Sequence, residues 1–342
     1  MGNVAIQFTG AAELEIARQA IPEPGPGEFV VEATKSLIST GTECICYNRW
    51  FEPGTHWDRW VKYPFSPGYS SAGVVRAVGS GVERVKVGQR VAGRKSHAKY
   101  WKGRESELGV GVVTVPEGVS DEAATWFGIG SIVQVGVRAA EHRLGDDVVV
   151  IGCGILGQVL VQYARLCGAR TVVVVDISEI RLKTALDHGA THAVSEPVDQ
   201  CQDAVADATD GRMGSVVYDV TGNANVLSSA LGLARDFGTV VILGDTGVPS
   251  GQKLTSDVIT RGLRIVGAHD AHPPRESTRH TPWSKDAINQ LFFTYLQRGD
   301  MRVDDLITHR HDPRDARSVY DGLSKDRSQV LGVIFDWTLV DG

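Results

Sequence analysis

The stretch VVVIGCGILGQVLVQYARLCGA, residues 148–169, decides the fold of this 342-residue chain. It opens with β-branched residues, passes three closely spaced glycines (Gly152, Gly154 and Gly157), and continues with apolar residues at helical spacing up to Gly168. A continuous apolar run is typical of a strand that is buried on both faces of a parallel sheet. Glycine is a common residue just beyond a helix. The stretch therefore predicts a buried strand, a tight turn and a helix, in that order.

The same alternation of strand and helix repeats further along the chain. Five more apolar runs follow: TVVVVD (171–176), HAVS (192–195), SVVYDV (215–220), TVVILG (239–244) and LRIVGA (263–268). Between them lie segments with helical spacing that stop at glycine, including SEIRLKTALDHGA (178–190) and ANVLSSALGLARDFG (224–238). Strands that alternate with helices in this way predict an α/β unit with a doubly wound parallel sheet.

The residues on either side of this unit follow a different pattern. Up to about residue 120, short alternating runs such as EFVVEATKSL and SAGVVRAVG lie between Gly/Pro turns, which predicts an irregular β-rich unit. The segment SDEAATWFGIGSIVQVGVRAAEHRLG (120–145) predicts one helix. Beyond residue 268 we expect a loop, a helix in SKDAINQLFFTYLQRGD, and a βαβ-like tail that packs back on the N-terminal β-rich unit. The predicted boundaries are 1–128 and 268–342 for the β-rich unit and 129–267 for the parallel-sheet unit.

The glycine-rich turn has the G-x-G-x-x-G spacing between a strand and a helix, the context in which this motif binds a dinucleotide. The first glycine makes the turn, the second lets a pyrophosphate approach the backbone, and the third lets the helix lie on the strand. The N–H groups and the dipole of the helix N-terminus favour phosphate. The alternative is a tight strand–helix turn without a ligand.

An acidic residue at the end of the second strand predicts which dinucleotide binds. Asp176 lies about 20 residues beyond the glycines, where a carboxylate accepts the ribose hydroxyls of NAD and repels the 2′-phosphate of NADP. Arg181 either stacks on the adenine or is a solvated helix residue. The predicted NAD contacts are Gly152, Gly154, Ile155, Leu156, Gly157, Asp176 and Arg181, with Thr221, Leu243, Gly244 and Ala268 at the ends of later strands.

Composition narrows the possible partners. The chain is 42% hydrophobic and 22% charged with a net charge of −6, which argues against nucleic acid or an anionic membrane as a partner. It contains no apolar run of about 18 residues that would span a membrane, and its N-terminus lacks the basic-then-apolar pattern of a signal peptide. Its five cysteines are an odd number, and the simplest interpretation is a reduced, cytoplasmic setting.

Several segments together resemble the medium-chain dehydrogenase/reductase superfamily, which includes zinc alcohol and sorbitol dehydrogenases and quinone reductases. The segments are IPEPGPGEFVVEA, SPGYSSAGVVRAVGSGVERVKVGQRVAG, VVVIGCGILGQVLVQYARLCGA, DISEIRLKTALDHGATHAV and GSVVYDVTGN, so the similarity runs nearly end to end. The resemblance implies a GroES-like catalytic domain with an inserted Rossmann domain, and a dehydrogenase or reductase activity.

The chain departs from the zinc members at the positions of the metal ligands. Those members carry a Cys-Gly-x-Asp-like motif, then Gly-His-Glu, then a third Cys, Asp or Glu. Here the first motif reads TGTE (40–43), the second reads GYS (68–70), and the third position falls near Phe127. A catalytic zinc needs about three protein ligands, and Cys44 and Cys46 have no His or Cys partner nearby in sequence. We therefore predict that no metal is bound.

Without a metal, the reaction needs a side chain as general base for alcohol oxidation, or as general acid for carbonyl reduction. The two candidates are Tyr69, which stands at the position of the ligand histidine, and Glu43. The alternatives are that Tyr69 merely fills space and that Glu43 merely holds a loop. Thr42 occupies the position of the relay hydroxyl of the alcohol dehydrogenases. The predicted substrate pocket contains Thr40, Trp57, Phe127, His269 and Asp270.

Two further histidine segments have weaker interpretations. His97, in a strand that replaces the structural-zinc lobe, is expected behind the site or on the surface. The pair His309 and His311 is expected to be on the surface or to hold the fold, and not to bind a metal.

Three functions are compatible with the sequence. The first is a zinc-independent, NAD-dependent dehydrogenase of a sugar, cyclitol or related polyol. The loop and helix over 269–307, with GTE (41–43), resemble polyol, glycoside and cyclitol dehydrogenases of this superfamily. The aromatic-rich YNRWFEPGTHWDRWVKYPF suits a sugar ring, or equally an interface or a lid. The second is a metal-free reductase of an enone or quinone, and the third is an NAD-binding regulatory protein without catalysis. For the first we expect a small-molecule substrate as the partner and a homodimer or homotetramer.

Overall fold

The computed structural model describes residues 2–340, which form two compact units. The first unit contains the chain up to Trp50, His56–Ser131 and the chain from Pro273 onward. The second unit contains Phe51–Thr55 and Ile132–His272. The chain passes from the first unit to the second after Ser131 and returns after His272, and a short piece of the N-terminal region belongs to the second unit. The domain boundaries 128/129 and 267/268 stay a prediction.

The strands are distributed over both units. In chain order they are β1 (Asn3–Gly10), β2 (Glu13–Gln19), β3 (Glu28–Ile38), β4 (Ser71–Val78), β5 (Arg90–Gly93), β6 (Tyr100–Arg104), β7 (Val112–Thr114), β8 (Asp147–Ile151), β9 (Thr171–Val175), β10 (His192–Val194), β11 (Gly214–Asp219), β12 (Ala234–Ile242), β13 (Arg264–Gly267), β14 (Ile307–His311) and β15 (Gly332–Asp336).

The helices lie between these strands. They are α1 (Thr40–Asn48), α2 (His56–Trp60), α3 (Asp121–Ala124), α4 (Phe127–Ala140), α5 (Ile155–Leu166), α6 (Glu179–Asp187), α7 (Gln202–Ala208), α8 (Leu227–Leu233), α9 (Asp257–Thr260), α10 (Lys285–Arg298) and α11 (Ala316–Lys325). Single 3₁₀ turns occur at Glu105–Glu107, Pro249–Gly251, Asp304–Leu306, Pro313–Asp315 and Trp337–Leu339. None of the helices within residues 2–340 combines the length and the apolarity needed to cross a membrane.

The second unit is built on a six-stranded parallel sheet in the order β10-β9-β8-β11-β12-β13. The valine-rich strands β8 and β9 are fully buried, as their continuous apolar runs predict. Numbered within the unit, the strand order is 3-2-1-4-5-6, the arrangement that binds dinucleotides where the order reverses. The prediction of a doubly wound sheet is confirmed.

The first unit contains a mostly antiparallel sheet in the order β14-β15-β3-β4-β5-β7, and β6 also pairs with β3. The C-terminal tail forms β14, α11 and β15, and the two strands pair in parallel. Strand β15 then pairs antiparallel with β3, with Val333 opposite Ile38. The predicted βαβ tail and its packing on the N-terminal β-rich unit are confirmed.

Three local predictions are wrong. The segment 120–145 forms two helices, α3 and α4, and the second ends at Ala140 and not near Gly145. The segment 224–238 is helical only to Leu233, because Ala234 already pairs with Gly214 of β11. Residues 40–48 form helix α1 inside a region predicted to be β-rich. In the last two segments, tertiary contacts override the local pattern.

Candidate functional site

The glycine-rich turn connects β8 to α5, and its glycines have different surroundings. Gly152 has a φ of 96°, which favours glycine. A methyl group on Gly157 would lie 2.1 Å from the carbonyl oxygen of Gly152, so the close approach of helix and strand requires this glycine. A methyl group on Gly154 would meet no protein atom within 4 Å, and no side chain caps the first turn of α5. Open space beside uncapped N–H groups fits a pyrophosphate.

Asp176 lies directly beyond β9 and beside this turn. Its Oδ2 accepts a hydrogen bond of 2.6 Å from the backbone N–H of Cys153, and its Oδ1 accepts one of 2.9 Å from Ser178. Arg181 is partly exposed on α6, and its carbonyl oxygen accepts a hydrogen bond from Gln158 Nε2. The turn and the acidic residue are therefore adjacent, as a dinucleotide site requires.

The ends of the later strands meet at the same edge of the sheet. The backbone N–H groups of Leu243 and Gly244 donate to the carbonyl oxygen of Asp219 at 3.0 and 2.9 Å. Thr221 Oγ1 donates to the Asp219 carboxylate at 2.7 Å. A methyl group on Gly244 would lie 2.5 Å from the backbone nitrogen of Gly222. Ala268 follows β13, where its N–H donates to the carbonyl oxygen of Ile242 at 3.1 Å.

A second candidate site, wholly within the first unit, surrounds Tyr69. This residue precedes β4, and its hydroxyl donates a hydrogen bond of 2.6 Å to Ser39 Oγ at the end of β3. Burial raises the pKa of Tyr69 to about 12, although the Ser39 and Thr42 hydroxyls and the Arg94 guanidinium oppose this rise. The phenol therefore keeps its proton at neutral pH and acts as a hydrogen-bond donor.

Helix α4 forms the next wall of this site. Phe127 is fully buried, and the Arg94 guanidinium carbon lies 6.0 Å from its ring centre. Arg94 Nη2 donates to Ser131 Oγ at 2.7 Å and to the carbonyl oxygen of Gly128 at 3.3 Å. A methyl group on Gly128 would lie 2.9 Å from Ser70 Oγ and 3.9 Å from Cδ2 of the neighbouring tyrosine ring.

Arg94 and Ser70 are site residues that the sequence analysis missed. Ser70 Oγ is buried without a hydrogen-bond partner in the structure, and Arg94 directly follows β5 without any motif that marks it. The only available signal was position, because Ser70 stands where the zinc members have glutamate.

Glu43, the other candidate acid–base residue, is enclosed in the protein. The residue is 1% exposed, its Oε1 accepts a hydrogen bond of 2.7 Å from the backbone N–H of Ser39, and its Oε2 accepts one from the hydroxyl of Tyr320. His97 Nε2 lies 2.9 Å from the same Oε2. All of these partners are protein groups.

His97 differs from its prediction in two respects. It lies in the loop between β5 and β6 and not in a strand, and it is fully buried and not on the surface. The other expectation, a place behind the site, stays open. His309 and His311 lie on β14 with their rings stacked 5.9 Å apart.

The residues around Tyr69 do not fit a zinc ion. The three ligand positions hold Thr40, Tyr69 and Phe127, and the carbonyl oxygen of Thr40 accepts a hydrogen bond from Arg327. Burial raises the pKa of the Cys44 thiol to about 11 and raises that of Cys46 further, which disfavours the thiolates that bind zinc. Within residues 2–340, no three His, Cys, Asp or Glu side chains are grouped so that they could hold a metal ion.

The other predicted pocket residues belong to different units. Trp57 is buried on α2, where its ring lies 5.8 Å from that of Trp60 and its indole N–H has no partner in the structure. His269 and Asp270 belong to the second unit, and His269 Nδ1 lies 3.3 Å from Asp270 Oδ1 on an exposed loop. Their place in a substrate pocket stays a prediction.

Comparison with known proteins identifies the class. Residues 32–126 match the alcohol dehydrogenase GroES-like domain, and residues 156–280 match the zinc-binding dehydrogenase model. L-threonine 3-dehydrogenase from Chelativorans sp. (strain BNC1) is 28% identical to this chain, in an alignment that covers 95% of each of the two chains.

Solved structures show the same fold. A dehydrogenase from Sinorhizobium meliloti 1021, solved with NADP bound, has a TM-score of 0.81 at 21% identity, covering 98% of this chain and 99% of that one. Galactitol-1-phosphate dehydrogenase from Escherichia coli has a TM-score of 0.77 at 18% identity, covering 97% and 99%.

The chain belongs to the medium-chain dehydrogenase/reductase superfamily, within its alcohol dehydrogenase-like part. It is thus a dehydrogenase-type oxidoreductase that uses a nicotinamide dinucleotide.

Proposed function

We propose that this protein is a zinc-independent, NAD-dependent dehydrogenase that oxidises a secondary hydroxyl of a sugar, cyclitol or related polyol, or reduces the matching ketone. In this proposal Tyr69 is the general acid and base, and Thr42 and Ser39 are the hydroxyls that support it. The observation that carries the proposal is the Tyr69 hydroxyl, which stands at a ligand position of the zinc members and donates to Ser39 Oγ at 2.6 Å.

Glu43 suits the acid–base role less well than Tyr69. Both of its carboxylate oxygens already accept hydrogen bonds from protein groups, and only 1% of the residue is exposed. Transfer of a proton to the substrate requires hydrogen-bond contact with it. As a residue, Tyr69 is half-buried and more exposed than Glu43, so it is the better candidate for that contact.

The raised pKa of Tyr69 keeps its phenol protonated at neutral pH, which is the form that can act as an acid. In ketone reduction the phenol donates its proton to the developing alkoxide, and hydrogen bonds from Ser39 and Thr42 stabilise the phenolate that remains. Alcohol oxidation is the reverse, with the phenolate as base. The nicotinamide of NAD, when bound, supplies or accepts the hydride.

Residues at the glycine-rich turn support NAD as the cofactor. The open space at Gly154 and the uncapped start of α5 suit the pyrophosphate. The Asp176 carboxylate beside the turn would repel the 2′-phosphate of NADP.

Hydroxyl groups near Tyr69 support a polyol as the substrate. Ser70 Oγ is buried without a partner in the structure, next in sequence to the proposed acid. A hydroxyl both donates and accepts, so it matches the donors and acceptors of neighbouring substrate hydroxyls. Galactitol-1-phosphate dehydrogenase is a polyol enzyme of the same fold.

A substrate panel with matched variants tests the proposal. NAD reduction is followed with sugars, cyclitols and linear polyols, and NADPH oxidation is followed with enones and quinones. We expect turnover with NAD and a polyol, and a loss of about 10²- to 10⁴-fold in Tyr69→Phe. Tyr63→Phe is the control, because it removes a different tyrosine hydroxyl, which donates to the backbone carbonyl oxygen of Cys46. Faster turnover of enones with NADPH, or an unchanged rate in Tyr69→Phe, would reject the proposal.

A further inference from the structure

A buried histidine binds the segments that hold Tyr69 in place. The His97 ring is fully buried and packs edge-on against Phe335, with the ring centres 5.2 Å apart. Its Nδ1 lies 2.7 Å from Ser36 Oγ and its Nε2 lies 2.9 Å from Glu43 Oε2. Both nitrogens of a side chain excluded from solvent therefore have protein partners.

The hydrogen-bond partners of His97 favour one arrangement of donors and acceptors around its ring. Trp337 Nε1 donates to Ser36 Oγ at 2.8 Å, so the Ser36 hydroxyl can direct its own proton to His97 Nδ1. A carboxylate only accepts, so in the contact with Glu43 it is Nε2 of His97 that donates the hydrogen bond. The Glu43 carboxylate then accepts from three donors, which are the Ser39 N–H, the Tyr320 hydroxyl and this imidazole.

Three contacts lead from His97 to Tyr69. The first runs through side chains, because Glu43 accepts the Ser39 N–H and Ser39 Oγ accepts the Tyr69 hydroxyl. The second is the backbone N–H of His97, which donates to the carbonyl oxygen of Pro67 at 2.9 Å.

The third contact is steric. Gly68, next to Tyr69, has a φ of 92°, and a methyl group there would lie 2.7 Å from the His97 ring. The imidazole therefore packs directly against the backbone that carries the phenol.

We propose that His97 is a positioning residue for the Tyr69 hydroxyl, acting through Glu43 and Ser39 and through the backbone at Pro67 and Gly68. This inference rests on the role proposed above for Tyr69. It assigns Glu43 to positioning as well, since the carboxylate fixes the Ser39 N–H and not the substrate.

Two substitutions at His97 separate positioning from packing. His97→Gln can keep an N–H donor near the Nε2 position, whereas His97→Asn cannot reach Glu43. We expect His97→Asn to lower kcat by about tenfold to a hundredfold with little change in KM, because small displacements of a reacting group carry losses of this size. His97→Gln should recover most of that loss. Equal losses in the two variants would overturn the proposal.

A control variant measures the effect of lost stability alone. Asn289 is buried on α10 and donates one hydrogen bond, to the carbonyl oxygen of Gly109. Asn289→Ala should lower the melting temperature with kcat nearly unchanged. A fall of kcat in Asn289→Ala that matches His97→Asn at equal melting temperature would overturn the proposal.

Amide hydrogen exchange at Ser39 provides a readout that does not require turnover. The N–H of Ser39 should exchange faster in His97→Asn than in wild type or His97→Gln, because its Glu43 acceptor is no longer held. Tyr320→Phe removes another hydrogen-bond donor to Glu43 and should also make the Ser39 N–H exchange faster. This variant is used if His97→Asn does not fold.

Polyol turnover tests the proposed dehydrogenase function, and amide exchange at Ser39 tests the positioning role, so one proposal can be rejected without the other. Faster exchange in a protein that turns over no polyol would reject the dehydrogenase proposal and keep the positioning contact. Unchanged exchange at Ser39 would reject the positioning role, whatever the activity.

Discussion

The glycine-rich turn of the second unit and the pocket around Tyr69 in the first unit are fixed by different kinds of contact. In the turn, the backbone itself sets the geometry, since Gly157 packs against the carbonyl oxygen of Gly152. In the pocket, side chains from separate segments set it, with Ser39 and Arg94 both acting on Tyr69. A site made of backbone is encoded locally in a motif, whereas a site made of side chains depends on how distant segments meet.

The two glycines of the turn provide the strongest test of this contrast. Gly157→Ala places a methyl group 2.1 Å from a carbonyl oxygen, so we expect it to destabilise the second unit by about 3 kcal/mol and to abolish NAD binding. Gly154→Ala meets no protein atom within 4 Å and should leave the melting temperature unchanged while it weakens NAD binding. Thermal unfolding and NAD titration measure both effects. Equal stability of the two variants would contradict a backbone-defined turn.

The pH dependence of alcohol oxidation tests whether Tyr69 is the general base in the pocket. Because the pKa of Tyr69 is raised to about 12, its base form is scarce at neutral pH and grows with rising pH. We expect the rate of oxidation to rise by about tenfold per pH unit until another step limits it. Ketone reduction should show no such rise, since the protonated phenol is already present. A pH-independent oxidation rate between pH 7 and 9 would remove Tyr69 as the base.

The choice between NAD and NADP tests whether the negative charge of Asp176 beside the turn is sufficient to select NAD. Asp176→Asn keeps an acceptor for the Cys153 N–H but removes the negative charge. We expect the ratio of kcat/KM for NADP over NAD to rise by roughly tenfold or more, because a like-charge contact costs several kcal/mol. Glu179→Gln, an exposed charge change at the start of α6, is the control and should leave the ratio as it is. If both variants keep the wild-type ratio, Asp176 does not select the cofactor.

The smallest effect is expected at the two cysteines of α1. Both thiols are buried, and their raised pKa values keep them protonated. Cys44→Ala and Cys46→Ala should each lower stability slightly and leave the metal content and kcat unchanged. Metal lost together with activity in either variant would show that the pocket depends on a thiolate ligand.

The sheet of the second unit could be predicted because its signals are local. Valine runs such as 148–150 and 172–175 mark strands that are buried on both faces, and the glycines between them mark the turns. The start of β12 at Ala234 could not be predicted, because its pairing with Gly214 of β11 overrides a sequence pattern that favours a helix.

The candidate pocket was only partly predictable. The departures from the zinc motif pointed to Thr42 and Tyr69 by position, but nothing in the sequence indicated that Glu43 would be buried against His97 and Tyr320. These residues lie far apart in the chain, and only the pairing of β3 with its neighbours and the return of α11 bring them together.

Metal analysis of the active protein tests the central claim most directly. The protein is purified with polyol activity, its zinc content is measured, and activity is assayed again after exhaustive dialysis against a chelator. We predict less than stoichiometric zinc and full activity after dialysis, because side chains manage the substrate proton. One zinc per chain, with activity lost on chelation and restored by zinc, would contradict this account.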